Sequence, residues 1–144
     1  MMLRRILTVA ASAALTTGLL TGISPAAPAA AALPGCVDTG WAIGAEHRMQ
    51  IQVPWDRNNH TNCTLQSGAR NDGARALQRA LHYCYHENIA VDGDFGDGTK
   101  RALRRVQGRL HVTADGVYGP QTRRKMLFAS DIVDSFDACD KLGE

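Results

Sequence analysis

The chain has 144 residues, 44% hydrophobic and 21% charged, with 16 Lys and Arg against 14 Asp and Glu. That length allows one small domain rather than several. The slight basic excess lies in Arg4 and Arg5 of an acid-free leader; without it 14 bases face 14 acids, and overall charge gives no reason to expect a nucleic-acid partner.

Residues 1–32 read as a secretory signal peptide. Arg4 and Arg5 precede a mostly apolar run, and an alanine-rich stretch with small-residue cleavage sites follows. Thr16, Thr17, Gly18, Thr21, Gly22 and Pro25 interrupt that run, which disfavours a permanent membrane anchor. No later apolar segment is long enough to cross a bilayer, so a secreted protein without membrane contact is expected after cleavage. About 112 residues would remain, enough for one modest core.

Residues 33–69 form an N-terminal arm that reads as irregular, with one short strand. Met49-Gln50-Ile51-Gln52-Val53 alternates apolar and polar, and Pro54 should end it. Asn58 to Asn62 are turn formers. Trp41 and Trp55 lie here, with two readings: packing over the small core, or an exposed face for a sugar ring. Packing is the commoner outcome. The two Asn-x-Thr sequons carry little weight in a chain of bacterial appearance.

Four cysteines follow the leader, Cys36, Cys63, Cys84 and Cys139. An even number in an exported chain points to two disulfides, and three pairings are open. A helix from about Gly73 to Cys84 is roughly 17 Å long. The chain from Cys63 can run back along it, so Cys63–Cys84 is preferred, and Cys36–Cys139 then ties arm to tail. No Cys-x-x-Cys pair suggests a metal or redox site.

The first helix carries Ala74, Leu77, Leu81 and Tyr85 on one stripe. His82 and His86 near its end share a face, but no third ligand or general base accompanies them, so no metal, no cofactor and no catalytic residue is expected. Next come two copies of one pattern: Asp92-Gly93-Asp94-Phe95-Gly96-Asp97-Gly98-Thr99 and Asp115-Gly116-Val117-Tyr118-Gly119-Pro120-Gln121-Thr122. Asp-Gly makes a tight turn with positive φ at glycine, the aromatic points inward, and the second glycine lets the backbone approach a neighbour. An EF-hand fails on Gly96, Asp97 and Leu103 at the fifth, sixth and twelfth loop positions.

A basic helix follows each turn. The second helix has an apolar stripe of Ala102, Leu103, Val106 and Leu110 among Lys100, Arg101, Arg104, Arg105 and Arg109. The third begins at Pro120, suited to the first helical position, and carries Arg123, Arg124 and Lys125, with Met126 and Leu127 inward. These bases make a solvated face or a patch for anionic wall components. Residues 130–144 form an acidic tail, helical around Ile132, Val133 and Phe136 or held as a loop by Cys139. Its acids could cover the basic helices.

Leu77-Gln78, the Asp92 turn, Val106-Gln107 and the Asp115 turn together resemble the peptidoglycan-binding domain of bacterial cell-wall proteins, over residues 70–129. The family commonly has phenylalanine where Val106 stands. The resemblance implies an all-α fold: a small three-helix bundle built from two turn-helix repeats and a preceding helix, with an irregular, disulfide-tied arm and tail. It also implies peptidoglycan as partner, through stem peptide or glycan, and a cell-wall location. Ligand contacts carried over are Asp92, Gly93, Phe95, Gly96 and Thr99, with Asp115, Gly116, Tyr118, Gly119 and Thr122. Tyr118, as stacking face and hydroxyl, and Arg101 and Arg123 are the preferred direct contacts. The stretch between leader and first helix is too short for a hydrolase domain, and no nucleophile elbow, Cys–His pair or zinc signature appears. A monomeric, non-enzymatic wall-binding protein is the expected reading. A protein-interaction or inhibitor module on the same fold is the alternative, and a metal-dependent hydrolase using His82 and His86 is less favoured.

Overall fold

The computed structural model describes residues 32–130 and 138–143. The leader and the proposed tail helix around Ile132, Val133 and Phe136 lie outside the described residues, within which no helix is long and apolar enough to cross a membrane.

The arm is an antiparallel hairpin. Strands β1 (Asp38–Ile43) and β2 (Gln50–Trp55) pair from Asp38 with Trp55 to Ile43 with Gln50. The strand read at residues 49–53 is therefore present but runs on through Pro54, and its partner strand had no legible alternation. Ile51 and Val53 are completely buried, so the hairpin supplies core rather than decoration.

Helix α1 (Asp72–Arg79) starts at Asn71, whose side chain accepts the Ala74 N–H at 2.9 Å. It continues as a π-helical turn, Ala80–Cys84. Helix α2 (Asp97–Arg109) buries Ala102, Leu103 and Val106. Helix α3 (Pro120–Arg123) has only four residues. The chain then enters strand β3 (Leu127–Ala129), which pairs antiparallel with β4 (Cys139–Lys141). Single bridges from Ile51 to Ser130 and from Gly44 to Leu142 join the hairpin to these strands.

The all-α three-helix bundle is thus overturned: among the described residues three α-helices stand beside two antiparallel two-stranded sheets. A four-residue helix cannot bury a face of its own. Met126 and Phe128, with Ile51, Val53 and Leu65 from the arm, fill the space a longer third helix would have taken.

Residues 64–70 lace the arm to both repeats. Leu65 and Tyr118 exchange two backbone hydrogen bonds of 2.9 and 2.8 Å, and Phe95 donates to the Ala69 carbonyl at 2.8 Å. This path overturns the expected disulfides. The chain after Cys63 does not run back along α1. Instead Cys36 donates to the Thr64 carbonyl and Thr64 to that of Pro34, which brings Cys36 beside Cys63. The observed bridges are Cys36–Cys63 (Cα separation 5.1 Å) and Cys84–Cys139 (5.9 Å). The second fastens the end of the π-helical turn to β4.

Asp140 does not cover a basic helix. Its buried carboxylate accepts the N–H groups of His47 (2.7 Å), Glu46 (3.0 Å) and Lys141 (2.8 Å). Burial pushes its pKa up, but these amides outweigh burial and hold it below the ordinary carboxylate range.

Candidate functional site

Each repeat is closed by a glutamine from the helix before it. Gln78, near the end of α1, places its amide nitrogen 2.9 Å from Asp92 Oδ1, 2.9 Å from the Asp94 carbonyl and 3.1 Å from Thr99 Oγ1. Its amide oxygen accepts the Gly93 N–H at 2.7 Å. Gln107, on α2, does the same one repeat later. Its nitrogen meets Asp115 Oδ1 (3.0 Å), the Val117 carbonyl (2.9 Å) and Thr122 Oγ1 (3.1 Å), and its oxygen accepts the Gly116 N–H (2.9 Å). Both glutamines are 1% exposed.

These bonds explain why the pattern needs its residues. Gly93 and Gly116 have φ of 81° and 75°, where a side chain is strained. A Cβ on Gly93 would also stand 3.1 Å from the Asn71 carbonyl oxygen. Asp92 and Asp115 accept the N–H two residues on, at 2.9 and 2.8 Å. The Asp94 N–H, followed by the Gln78 amide, holds the Asp92 carboxyl below the ordinary range. Asp92, Gly93, Thr99, Asp115, Gly116 and Thr122 therefore fasten turns. The signal for the glutamines was in the sequence, since each stands in an apolar-Gln pair before its turn, but their role was not.

Phe95 and Tyr118 are fully buried. Tyr118 meets Phe128 edge-on at 6.4 Å between ring centres, and its hydroxyl has no hydrogen-bond partner among the described residues. Burial pushes that hydroxyl's pKa up. Tyr118 thus offers neither the stacking face nor the accessible hydroxyl expected of it, because its backbone pairing with Leu65 turns the ring into the core. Gly96 and Gly119 precede α2 and α3 in extended conformations, φ −85° and −160°. Nothing lies within 4 Å of a Cβ on Gly96, and only Thr64 Cγ2, at 3.7 Å, near one on Gly119, so neither serves close backbone approach. Arg101 is exposed on α2, whereas Arg123 is half-buried and its Nε has no hydrogen-bond partner among the described residues.

The basic face is also partly neutralised from an unread source. Buried Glu87 accepts from Arg105 Nε at 3.0 Å and from Arg109 at 2.6 Å. His82 is turned to the Glu87 carbonyl, 3.2 Å from Nδ1. Among the described residues, Glu46, His47 and Asp140 bring potential metal-ligand atoms within 4.8 Å of one another. Glu46 is paired with Lys141 at 2.7 Å, and Asp140 already receives three amides. This trio anchors the hairpin turn to β4.

Two clefts flank the first turn. One, of about 300 Å³, lies between the loop Asn88, Ile89 and Ala90 and the start of α2 at Gly96 and Gly98. The other, of about 360 Å³, is bordered by Arg70, Asn71 and Arg75. Asp92 and Asp94 line both and form the rib between them. No side chain caps the start of α2, and Gly96 and Gly98 carry no bulk there. The first cleft therefore combines helix-start N–H groups, which favour a carboxylate, with two carboxylates, Asp94 paired with Arg70 at 3.1 Å and Asp92 fastening the turn through Oδ1.

Residues 70–126 match the family model described as "Putative peptidoglycan binding domain". The chain is 37% identical over 70 residues to the zinc D-Ala-D-Ala carboxypeptidase of Streptomyces albus G, covering 47% of this chain and 28% of that protein. It is 37% identical over 67 residues to a spore cortex-lytic enzyme of Oceanobacillus iheyensis, covering 46% and 24%. The chain thus spans about a quarter of the length of these curated relatives. Among solved structures it is similar to the SleB N-terminal domain, at 37% identity over 43% of this chain and 85% of that one, with a TM-score of 0.41. The peptidoglycan-binding domain family that the sequence motifs resemble is thus matched over residues 70–126 of this chain.

Proposed function

We propose that the chain is an exported protein that binds peptidoglycan without cutting it, and that the stem peptide enters the cleft beside the first turn. The observation that carries this reading is the family match over the segment that builds that cleft. A stem peptide carries free carboxylates and amino groups; α2's uncapped start faces the first, and the Asp92 oxygen that does not fasten the turn, with Asp94 beside Arg70, faces the second. Its curated relatives include enzymes named for wall substrates, each sharing only the matched quarter. A non-catalytic role is supported by the state of the candidate groups. Asp92 and Asp115 are engaged in turn fastening, and all four cysteines are in disulfides. Two disulfides also suit an oxidising location outside the cytosol.

The test is co-sedimentation of the oxidised chain with purified sacculi in about 0.5 M salt, where the Debye length is about 4 Å. Binding should persist. Gly98→Phe fills the cleft at an exposed position with no neighbour within 4 Å, so it should weaken binding about tenfold or more at unchanged melting temperature. Gly108→Phe, exposed further along α2 and outside the cleft, should leave binding intact. Binding abolished by salt would assign it to the basic helices instead, and no binding at all would favour a protein partner.

A further inference from the structure

The hairpin carries a groove outside the family-matched segment, of about 600 Å³, within the range of small-molecule sites. Its apolar side is Trp55, Ala42 and Leu33, and its polar rim is Asn59, Thr61 and Asn62. Trp55 is half-buried, with its indole laid across Gly40, where any Cβ would collide with the ring. Gly40 in β1 is thus what lets a large aromatic plate lie against the strand.

The rim is held rigid from beneath. The buried Asp56 carboxylate accepts the N–H groups of Asn58 (2.8 Å) and His60 (2.9 Å), and Asp56 N–H donates to the His60 carbonyl (2.9 Å). Asn59 sits in the left-handed region at φ 63°, and Cys63, just beyond the rim, is bridged to Cys36. The side chains of Asn59, Thr61 and Asn62 make no hydrogen bond within the described residues, so two amides and a hydroxyl remain available. No Lys or Arg lines the groove, and its one carboxylate is occupied by backbone amides.

We propose that this groove is a second ligand site, for an uncharged acetamido-sugar chain with a pyranose ring stacked on Trp55. The axial C–H bonds of a pyranose present a weakly positive face to the negative face of an indole. Asparagine amides match an acetamido group, each having one donor and one acceptor to exchange. With no Lys or Arg in its lining, and with the one imidazole there, His60, standing 3.5 Å from the Asp56 carboxylate, the groove offers no unpaired fixed positive charge to phosphate- or carboxylate-bearing polymers. This site goes beyond the stem-peptide reading of the first-turn cleft and uses different residues.

Calorimetric titration of the oxidised full chain with chitotetraose, a peptide-free tetramer of N-acetylglucosamine, tests it. Saturable binding is expected, with cellotetraose, which lacks the acetamido groups, at least about fivefold weaker. Asn59→Gly keeps the left-handed backbone and Asn62→Ala is at an exposed position, so both fold, and each should weaken binding about fivefold or more. Trp41→Ala, at an exposed tryptophan on the other face of β1, should change nothing. No binding of chitotetraose overturns the site. So does binding lost in Trp41→Ala but kept in Asn59→Gly and Asn62→Ala, and equal affinity for cellotetraose overturns the acetamido assignment. Because the probe carries no peptide, its failure leaves the first-turn cleft untouched, and failure of the sacculus experiment with Gly98→Phe leaves this groove untouched.

Discussion

Gln78→Leu should lower the free energy of unfolding by about 4 kcal/mol, read as a fall in melting temperature of about 15 °C or more. Leucine keeps the volume but removes both ends of the network. The Gly93 N–H loses its acceptor, and the Asp94 carbonyl and the buried Thr99 hydroxyl lose their donor. An unpaired buried polar group costs about 1–3 kcal/mol, which is why the loss exceeds that of a typical surface substitution. Gln107→Leu should cost a similar amount through Gly116, Val117 and Thr122. The acid limb of stability should change as well. The Asp92 carboxyl is held low by the Asp94 N–H and then by the Gln78 amide. A carboxyl with a depressed folded pKa contributes stability above its unfolded pKa, about 3.9, and loses it as pH falls through the folded value. Between about pH 4 and pH 2 the wild type should therefore lose stability more steeply than Gln78→Leu. Asp56 and Asp140 are also held low, but they are common to both proteins and cancel. A loss below about 1 kcal/mol, with identical acid limbs, would remove the glutamine from its place at the centre of the turn.

Removing the Cys84–Cys139 bridge by a double serine substitution should cost about 4 kcal/mol in the chain-entropy account, and Cys36–Cys63, closing the shorter loop, slightly less. For a domain of this size that corresponds to a fall of about 15–30 °C in melting temperature. Loss of Cys84–Cys139 should also release β4 and with it the Asp140 anchor of the hairpin turn. Mass spectrometry of a non-reduced digest gives the direct check. A peptide linking Cys36 to Cys63 is expected, and one linking Cys63 to Cys84 would contradict the fold described.

The helices and turns were legible because their signals are local. The stripe of Ala74, Leu77 and Leu81 marks α1, Pro120 opens α3, and the Asp-Gly pairs demand positive φ, all within a few residues. Strand β1 was not legible, since Gly40 weakens its own propensity and its reason for being a strand lies across the hairpin in Val53 and Trp55. The short α3 has a clear start and no stop signal. It ends because Met126 and Phe128 fill the core from an extended chain rather than a helix. The disulfides were misassigned because their pairing depends on where residues 64–70 run, and those residues follow the turns. At the site, the repeated positions were readable, but not their division of labour. Tyr118 faces the core through a backbone pairing with Leu65, and Glu87 reaches Arg105 and Arg109 from a separate loop. The first-turn cleft arises only when residues 88–90 fold beside the start of α2.

Amide chemical-shift mapping of the oxidised chain with a soluble muropeptide bearing an intact stem peptide tests that cleft most directly. Binding there predicts shifts at Asn88, Ile89, Gly96 and Gly98, with the corresponding second-turn residues at Gly119 and Gln121 unmoved. Shifts confined to the exposed bases Arg101, Arg124 and Lys125, or none at saturating muropeptide, would contradict it.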